Sequence, residues 1–339
     1  MRRQIKVVVT DYIEPDLEWE RQELCKPEVD LETYQLRGAP EGEVIAATRD
    51  ADIVVVNMVK ISQSVIAGWD KVRLVIRHGT GYDNVDVAAL TERGIVLEYI
   101  PDYCLDEVAE QAIALMFACA RKIVWSLKMM DGWITSQVWD ARSLMPIYRM
   151  DGATVGIIGC GRIGSLVYKK LRHFGMKFLV CDPYLSAERK RELGIEVQDL
   201  ETVCRRSDFI TVHTPLSAET RHIINARTLA YMKPTAYLVN TSRGAMVDAQ
   251  ALASVLKARK IAGAAIDVYG DEPPLPDFPL LGLDNVILTP HLSWYSEDAS
   301  QTIREKILLD IDMFLKGTGP RFPVNPEALE KRKDAAYVR

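Results

Sequence analysis

The sequence predicts an α/β chain with two doubly wound parallel sheets, and three observations carry that expectation. Short β-branched runs alternate with helix-like stretches over nearly the whole length. In mid-chain, Gly159, Gly161 and Gly164 form G-x-G-x-x-G directly after the apolar run Thr154 to Ile158. Finally, 339 residues at 48% hydrophobic and 26% charged content suffice for two sizeable cores of ordinary soluble composition.

The elements follow in order. MRRQIKVVVTD is basic and then apolar, but its apolar part is too short for a signal peptide and ends in Asp11, so it reads as a first strand, Ile5 to Thr10. Further strands are expected at 53–56, 74–77 and 96–99, with helical stretches at 41–48 and 87–93 between them. A long apolar helix is expected from Val108 to Met130. Glu110 and Arg121 interrupt it too closely for a bilayer span, so it reads as buried or interfacial. A second series of six strands follows at 155–158, 178–181, 209–212, 237–240, 263–266 and 286–288. A helix from Glu297 to Leu315 runs to Gly317, and Pro320 onward reads as a loosely held end. The expected organisation is residues 1–103 plus 293–325 as one smaller domain, 104–292 as a domain inserted into it, and 326–339 as a tail.

Each residue of the central fingerprint has a physical task. Gly159 makes the tight turn, Gly161 lets backbone approach a pyrophosphate, and Gly164 lets the helix pack close to the strand. Arg162 and Ile163 open that helix, whose free N–H groups hold an anion. Asp182 closes the next apolar run 18 residues past Gly164, placed to accept the adenosine ribose hydroxyls and to repel a 2′-phosphate. Together they predict a Rossmann domain that takes NAD rather than NADP.

Composition narrows the function classes. A net charge of −5 gives no general attraction for nucleic acid or an anionic membrane surface. The six cysteines (25, 104, 119, 160, 181 and 204) lack C-x-x-C spacing, so neither a disulfide framework nor a zinc site is expected, and the reading is cytoplasmic.

Three residues fall just past late strands, where open α/β sheets place ligand-contacting groups: Arg243, Glu272 and His291. Reduction of a 2-keto acid needs a hydride donor, a cation that orients the carboxylate and carbonyl, and an acid for the nascent alkoxide. Arg243 suits the second task through its planar, permanently charged fork. His291 suits the third, and Glu272 would orient the ring and favour its protonated form.

The motifs RHGTGYDNVD (77–86), VAEQAIALMFACAR (108–121), VGIIGCGRIG (155–164), NTSRGAMVD (240–248), AAIDVYGDEP (264–273) and TPH (289–291) resemble the D-isomer-specific 2-hydroxyacid dehydrogenase family, in the right order over residues 5–320. The resemblance implies a Rossmann cofactor domain inserted into a flavodoxin-like substrate domain. It assigns Arg243, Glu272 and His291 the substrate-binding, His-tuning and acid/base roles. It also implies that Gly79, Thr80 and Gly81 bind the substrate carboxylate through backbone N–H groups, with Arg77 as a second contact. Asp267 resembles the acid that holds the nicotinamide carboxamide. Thr214 and Pro215 resemble the segment beside the nicotinamide ribose, and Thr241 joins this cofactor set. A homodimer through the cofactor domain is implied, with Trp125, Trp133 and Trp139 suited to its interface. Gln111 departs from the His common in the family's wider pattern, at a position hydride transfer does not need.

Within the family, CDPYLS and HLSWYSEDAS resemble the C-terminal-binding-protein (CtBP) branch, in which Trp294 could wall the substrate pocket and favour an apolar or thioether side chain. The expected function is an NAD-dependent D-2-hydroxyacid dehydrogenase. The alternatives are an NAD(H)-gated corepressor with weak activity, or the same chemistry on 3-phosphoglycerate, glyoxylate or hydroxypyruvate. The substrate side chain and the physiological direction are not legible in the residues.

Overall fold

The computed structural model describes residues 4–331, which form two compact units: residues 4–103 with 296–331, and residues 104–295. The first unit contains β1 (Ile5–Val9), β2 (Val29–Thr33), β3 (Ile53–Val56), β4 (Leu74–Arg77) and β5 (Val96–Tyr99). They form one parallel sheet in the order β2-β1-β3-β4-β5, the flavodoxin-like arrangement. Alternate residues feed opposite faces, as a two-residue period requires. Val54 and Val56 pack with Val44, Val65, Ile66 and Leu90 on one face, whereas Ile53 and Val55 pack with Ile303, Ile307, Ile311 and Phe314 on the other. β2 lies outside the expected strands. Its VDLET sequence alternates acid with apolar residues, a pattern suited to an edge strand with one packed face.

The helix Glu297–Lys316 starts at Ser296, whose Oγ accepts the Ala299 N–H at 2.9 Å, and stops at Gly317 in the left-handed region. Its Ile303, Ile307, Ile311 and Phe314 recur on one face and are buried. Each contributes roughly 1.5–3 kcal/mol of apolar burial.

The end expected to be loosely held is docked as far as it is described. The Val324 N–H donates to the Leu97 carbonyl (2.8 Å), the Leu97 N–H donates to Asn325 Oδ1 (2.8 Å), and Ala328 is fully buried. This segment covers the open edge of β5, where unpaired backbone groups would otherwise be left. Residues 332–339 of the expected tail lie outside the described residues.

The second unit contains β6 (Thr154–Ile158), β7 (Lys177–Cys181), β8 (Phe209–Val212), β9 (Tyr237–Asn240), β10 (Gly263–Ile266) and β11 (Val286–Leu288). All pair in parallel, in the order β11-β10-β9-β8-β6-β7. A single parallel bridge from Val197 to Val180 adds the vestige of a further strand outside β7, which completes the Rossmann order on that side. The direction of winding reverses between β6 and β8, and that is where the glycine loop emerges.

Two expectations need correction. The helix expected from Val108 to Met130 breaks at Lys122, whose φ is 56°. Leu105–Ala120 packs on the sheet through Ala109, Ala112, Leu115 and Met116, whereas Ile123–Ser136 has no buried residue. The return to the smaller unit comes at Ser296 rather than at residue 293. Ser293 stays with the second unit because its N–H (2.9 Å) and its hydroxyl both donate to Asp267. No helix among the described residues is long and apolar enough to cross a membrane.

Candidate active site

The glycine loop is shaped by contacts that side chains would destroy. Gly159 has φ +87°, and a Cβ there would meet Thr214 Cγ2 at 2.6 Å and the Thr214 nitrogen at 2.8 Å. A Cβ on Gly164 would run into the Gly159 carbonyl oxygen, so the helix Arg162–Leu171 approaches the loop only because position 164 is bare. At Gly161, by contrast, a Cβ would face open space. That leaves the helix N-terminus, with Arg162 and Ile163 in its first turn, accessible to an anion.

Asp182 braces this loop from β7. Its Oδ2 accepts the Cys160 N–H (2.8 Å) and its Oδ1 the Tyr184 N–H (3.1 Å), which leaves each oxygen a second lone pair. Burial, reinforced by the Asp182 charge, pushes the Cys160 thiol up to about 11, so this residue stays neutral within the loop.

Two polar atoms at the ends of β8 and β9 are buried without a partner among the described residues: His213 Nδ1 and Thr241 Oγ1. His213 Nε2 pairs with Thr211 Oγ1 at 2.8 Å, and burial lowers its pKa to about 4, so the ring is neutral. Orphaned polar atoms at strand ends are costly unless a ligand satisfies them. With the bare loop and the braced acid, they fit a dinucleotide. Sequence reading missed His213, which lies beside Thr214-Pro215 and bears no motif of its own.

The turn after β9 holds Arg243. Asn240 fixes it from both sides, accepting the Ser242 N–H (3.1 Å) and donating Nδ2–H to the Arg243 carbonyl (2.9 Å). Past β10, Glu272 Oε1 accepts the Tyr269 N–H (3.1 Å) and Oε2 lies 2.7 Å from His291 Nδ1. Burial pushes the Glu272 carboxyl up, but the His291 hydrogen bond and charge, the Tyr269 N–H and the Arg243 charge outweigh it, and the net shift is downward. An ionised Glu272 is an acceptor only, so Nδ1 carries a hydrogen and Nε2 of the half-exposed ring is the nitrogen left to exchange protons.

Asp267 lies just past β10. Its side chain is fully buried, and its two oxygens accept from Thr289 Oγ1, the Leu292 N–H (3.0 Å), the Ser293 N–H (2.9 Å) and Ser293 Oγ. Trp294, two positions beyond Leu292, packs edge-on against Tyr295 with ring centroids 5.2 Å apart.

The remaining expected residues belong to the first unit. Gly79 has φ +144°, and a Cβ there would meet Arg77 Nη1 at 2.6 Å, so the guanidinium lies against the turn. Arg77 Nη1 also reaches Asn57 Oδ1 at 3.4 Å. Thr80 Oγ1 donates to the Ile100 carbonyl (3.3 Å), and the backbone N–H groups of Thr80 and Gly81 meet no protein acceptor among the described residues. No group of three or more His, Cys, Asp or Glu that could hold a metal occurs among the described residues.

Comparison with known proteins agrees with this geometry. Residues 113–293 match the D-isomer specific 2-hydroxyacid dehydrogenase, NAD binding domain. The chain is 38% identical over 334 residues to D-3-phosphoglycerate dehydrogenase of Methanocaldococcus jannaschii, covering 97% of this chain and 61% of that protein. It is 35% identical over 300 residues to glyoxylate reductase of Thermococcus litoralis, covering 86% and 89%. Among solved structures, D-lactate dehydrogenase from Aquifex aeolicus, complexed with NAD and lactic acid, superimposes with a TM-score of 0.82 at 27% identity, covering 96% and 98%. The fold and the cofactor loop define a dinucleotide-binding α/β protein. The chain belongs to the D-isomer-specific 2-hydroxyacid dehydrogenase family and carries its NAD-binding domain.

Proposed function

We propose that this protein is an NAD-dependent dehydrogenase interconverting a D-2-hydroxy acid and its 2-keto acid. The observation that carries the reading is the 2.7 Å His291–Glu272 pair in the same unit as the glycine loop. A nicotinamide dinucleotide held there would supply the hydride to C2 of the keto acid, or accept it in the reverse direction. His291 gives the proton from Nε2 to the carbonyl oxygen as C2 is reduced, and takes it back in oxidation. Glu272 holds the ring by Nδ1 and stabilises the imidazolium form. Arg243 orients the substrate carboxylate and carbonyl with its fork. Gly159, Gly161, Arg162, Ile163 and Gly164 bind the pyrophosphate, Asp182 the adenosine ribose, and Thr214, Pro215 and Thr241 the nicotinamide side.

The smaller unit is assigned to substrate recognition. The free N–H groups of Thr80 and Gly81 suit a carboxylate, with Arg77 held beside them by Gly79. The relatives named above bear the names of enzymes, which favours this reading over a corepressor. Their different substrates leave glyoxylate, hydroxypyruvate, 3-phosphohydroxypyruvate and larger apolar keto acids as the candidate class, and Trp294 favours the apolar members.

A homodimer is part of the proposal. The helix Ile123–Ser136 and the segment after it expose Leu127 (66%), Trp139 (77%) and Met145 (67%), an apolar surface that a second copy would cover. Sedimentation equilibrium should give twice the chain mass, and Leu127→Glu with Trp139→Glu should give a monomer. The cysteines, free in the structure, agree with a reducing cytoplasm.

The testing experiment is NADH oxidation at 340 nm with a panel of 2-keto acids, and NADPH as the control. Turnover of at least one keto acid, faster with NADH, is expected. Tight NADH binding without turnover of any of them would overturn the enzyme reading.

A further inference from the structure

A cavity of about 420 Å³ in the second unit is used by no step proposed above. Its size is that of a small-molecule site. One wall combines the segment carrying Arg221 and His222 with the turn past β9, joined where the His222 N–H donates to the Ala245 carbonyl (2.9 Å). The facing wall is the loop past β10. It brings Asp271, Asp277 and the edge-on pair Tyr269–Phe278, ring centroids 5.4 Å apart. The walls meet at Gly244, where a Cβ would collide with the Tyr269 backbone.

The charges are sorted by wall. The side chains of Arg221, His222, Asp271 and Asp277 meet no hydrogen-bonding or ion-pair partner among the described residues. Asp248, a further acid of the lining, is already engaged, its Oδ1 accepting the Ala251 N–H (3.0 Å). The cavity thus offers donors on one side, acids on the other and aromatic rings between them. Tyr269 also belongs to the catalytic pair. Its N–H donates to Glu272 Oε1 (3.1 Å), and its hydroxyl donates to the Thr289 carbonyl (2.8 Å), two residues before His291. Burial pushes its phenol up to about 12, so the hydroxyl stays a donor. A ligand resting on this ring bears on Glu272 and on the loop of His291 together.

We propose that this cavity binds a small zwitterion, an α-amino acid with an apolar side chain, and that its occupancy steadies the His291–Glu272 pair through Tyr269. The carboxylate goes to the Arg221 fork and His222, and the ammonium to Asp271 and Asp277. The apolar side chain lies on Tyr269 and Phe278. A 2-keto acid lacks the ammonium and leaves both acids unmet, so this site rejects what the catalytic site accepts. The coupling rests on the acid/base role given to His291 above, whereas the binding does not.

The test uses the full chain with L-leucine, L-methionine and L-phenylalanine, and their 2-keto acids as controls. Calorimetric titration reads binding, NMR reads the His291 ring signals, and steady-state assays read kcat. At least one amino acid should bind with a submillimolar Kd, and the controls should not compete with it. Arg221→Ala and Asp277→Asn should each weaken that binding about tenfold, the worth of one charged hydrogen bond. Without amino acid, both variants should keep kcat within about twofold of wild type, as surface substitutions do. In wild type the bound amino acid should move the His291 signals and raise kcat about threefold, with KM unchanged, by holding the pair in its reacting geometry. No binding of any of the three at millimolar concentration would overturn the proposal. So would binding that neither substitution weakens, or binding that leaves the His291 signals in place. Because titration and NMR do not depend on turnover, a wild-type protein inactive on every keto acid would defeat the dehydrogenase reading and still leave this site decided.

Discussion

Nδ1 of His291 lies 2.7 Å from Oε2 of Glu272, and the opposite oxygen of that carboxylate is tied to the Tyr269 N–H at 3.1 Å. The pair therefore has one orientation, with Nε2 on the free side of the ring. His291→Ala should lower kcat roughly 10²–10⁴-fold while NADH binding persists. Stopped-flow measurement of hydride transfer checks this, and undiminished turnover would remove His291 from the reaction.

Glu272→Gln separates charge from geometry. The folded-state pKa of Glu272 is lowered, so its contribution to stability is present above its unfolded value and is lost as pH falls through the folded one. The variant should lose stability relative to wild type at neutral pH and converge with it in acid. It should also lower kcat roughly tenfold at neutral pH, where the wild-type carboxylate holds the Nδ1 hydrogen of His291 and a neutral amide would hold it less firmly. Thermal melts and a pH–rate profile over the same range give both answers.

Arg243 is fixed by backbone contacts through Asn240, so the fork rather than the charge alone should matter. Arg243→Ala should cost kcat/KM on the order of 10²–10³, and Arg243→Lys should recover less than about tenfold of it. Full recovery with lysine would mean that a point charge suffices and that bidentate recognition plays no part.

Asp182 braces the glycine loop through its bond to Cys160, and the proposed function gives it a second task at the cofactor's ribose. Asp182→Asn keeps an acceptor for the loop and removes the charge that repels a 2′-phosphate. The ratio of kcat/KM for NADPH to that for NADH should rise about tenfold or more, because about 1.4 kcal/mol of differential binding is a tenfold change. An unchanged ratio would place cofactor discrimination elsewhere.

The legible parts of this protein share one property: their chemistry is local in sequence. Gly159 to Asp182 is a contiguous strand, turn, helix and strand, and Arg243, Glu272 and His291 each come a few residues after a mostly apolar strand. The central sheet was legible for the same reason. Asp267 was legible as a position but not in its surroundings, because the four donors on its carboxylate come from residues 22 to 26 positions away and depend on how β10 and β11 pair. β2 was hidden by its alternating acids. The break at Lys122 was hidden because helix-forming residues continue on both sides of it. The docked end past Pro320 was invisible, since the composition that reads as loose also supplies Asn325 to cap β5.

The same long-range packing creates a proton-binding site in the smaller unit. Glu98 on β5 accepts the backbone N–H groups of Arg321 (2.6 Å) and Phe322 (3.0 Å) from residues more than 220 positions away, and Arg321 binds Asp310 through its guanidinium. Asp102 and Lys306 pair nearby at 2.7 Å. Burial, together with the Asp310 charge, pushes the Glu98 carboxyl up to about 7 despite Arg321 and the two N–H donors. The folded state thus holds a proton that the unfolded chain releases near pH 4.5. The stability this adds is complete below that lower value and is lost as pH rises through about 7. Glu98→Gln mimics the protonated acid: its amide oxygen still accepts the two N–H groups, and its NH2 can donate toward Asp310. The variant should melt close to wild type near pH 5 and at a higher temperature than wild type near pH 8, with the crossover set by the Glu98 proton. A Glu98→Gln protein less stable than wild type across that whole range would show that the site binds an ionised carboxylate after all, with Arg321 rather than the proton as its partner.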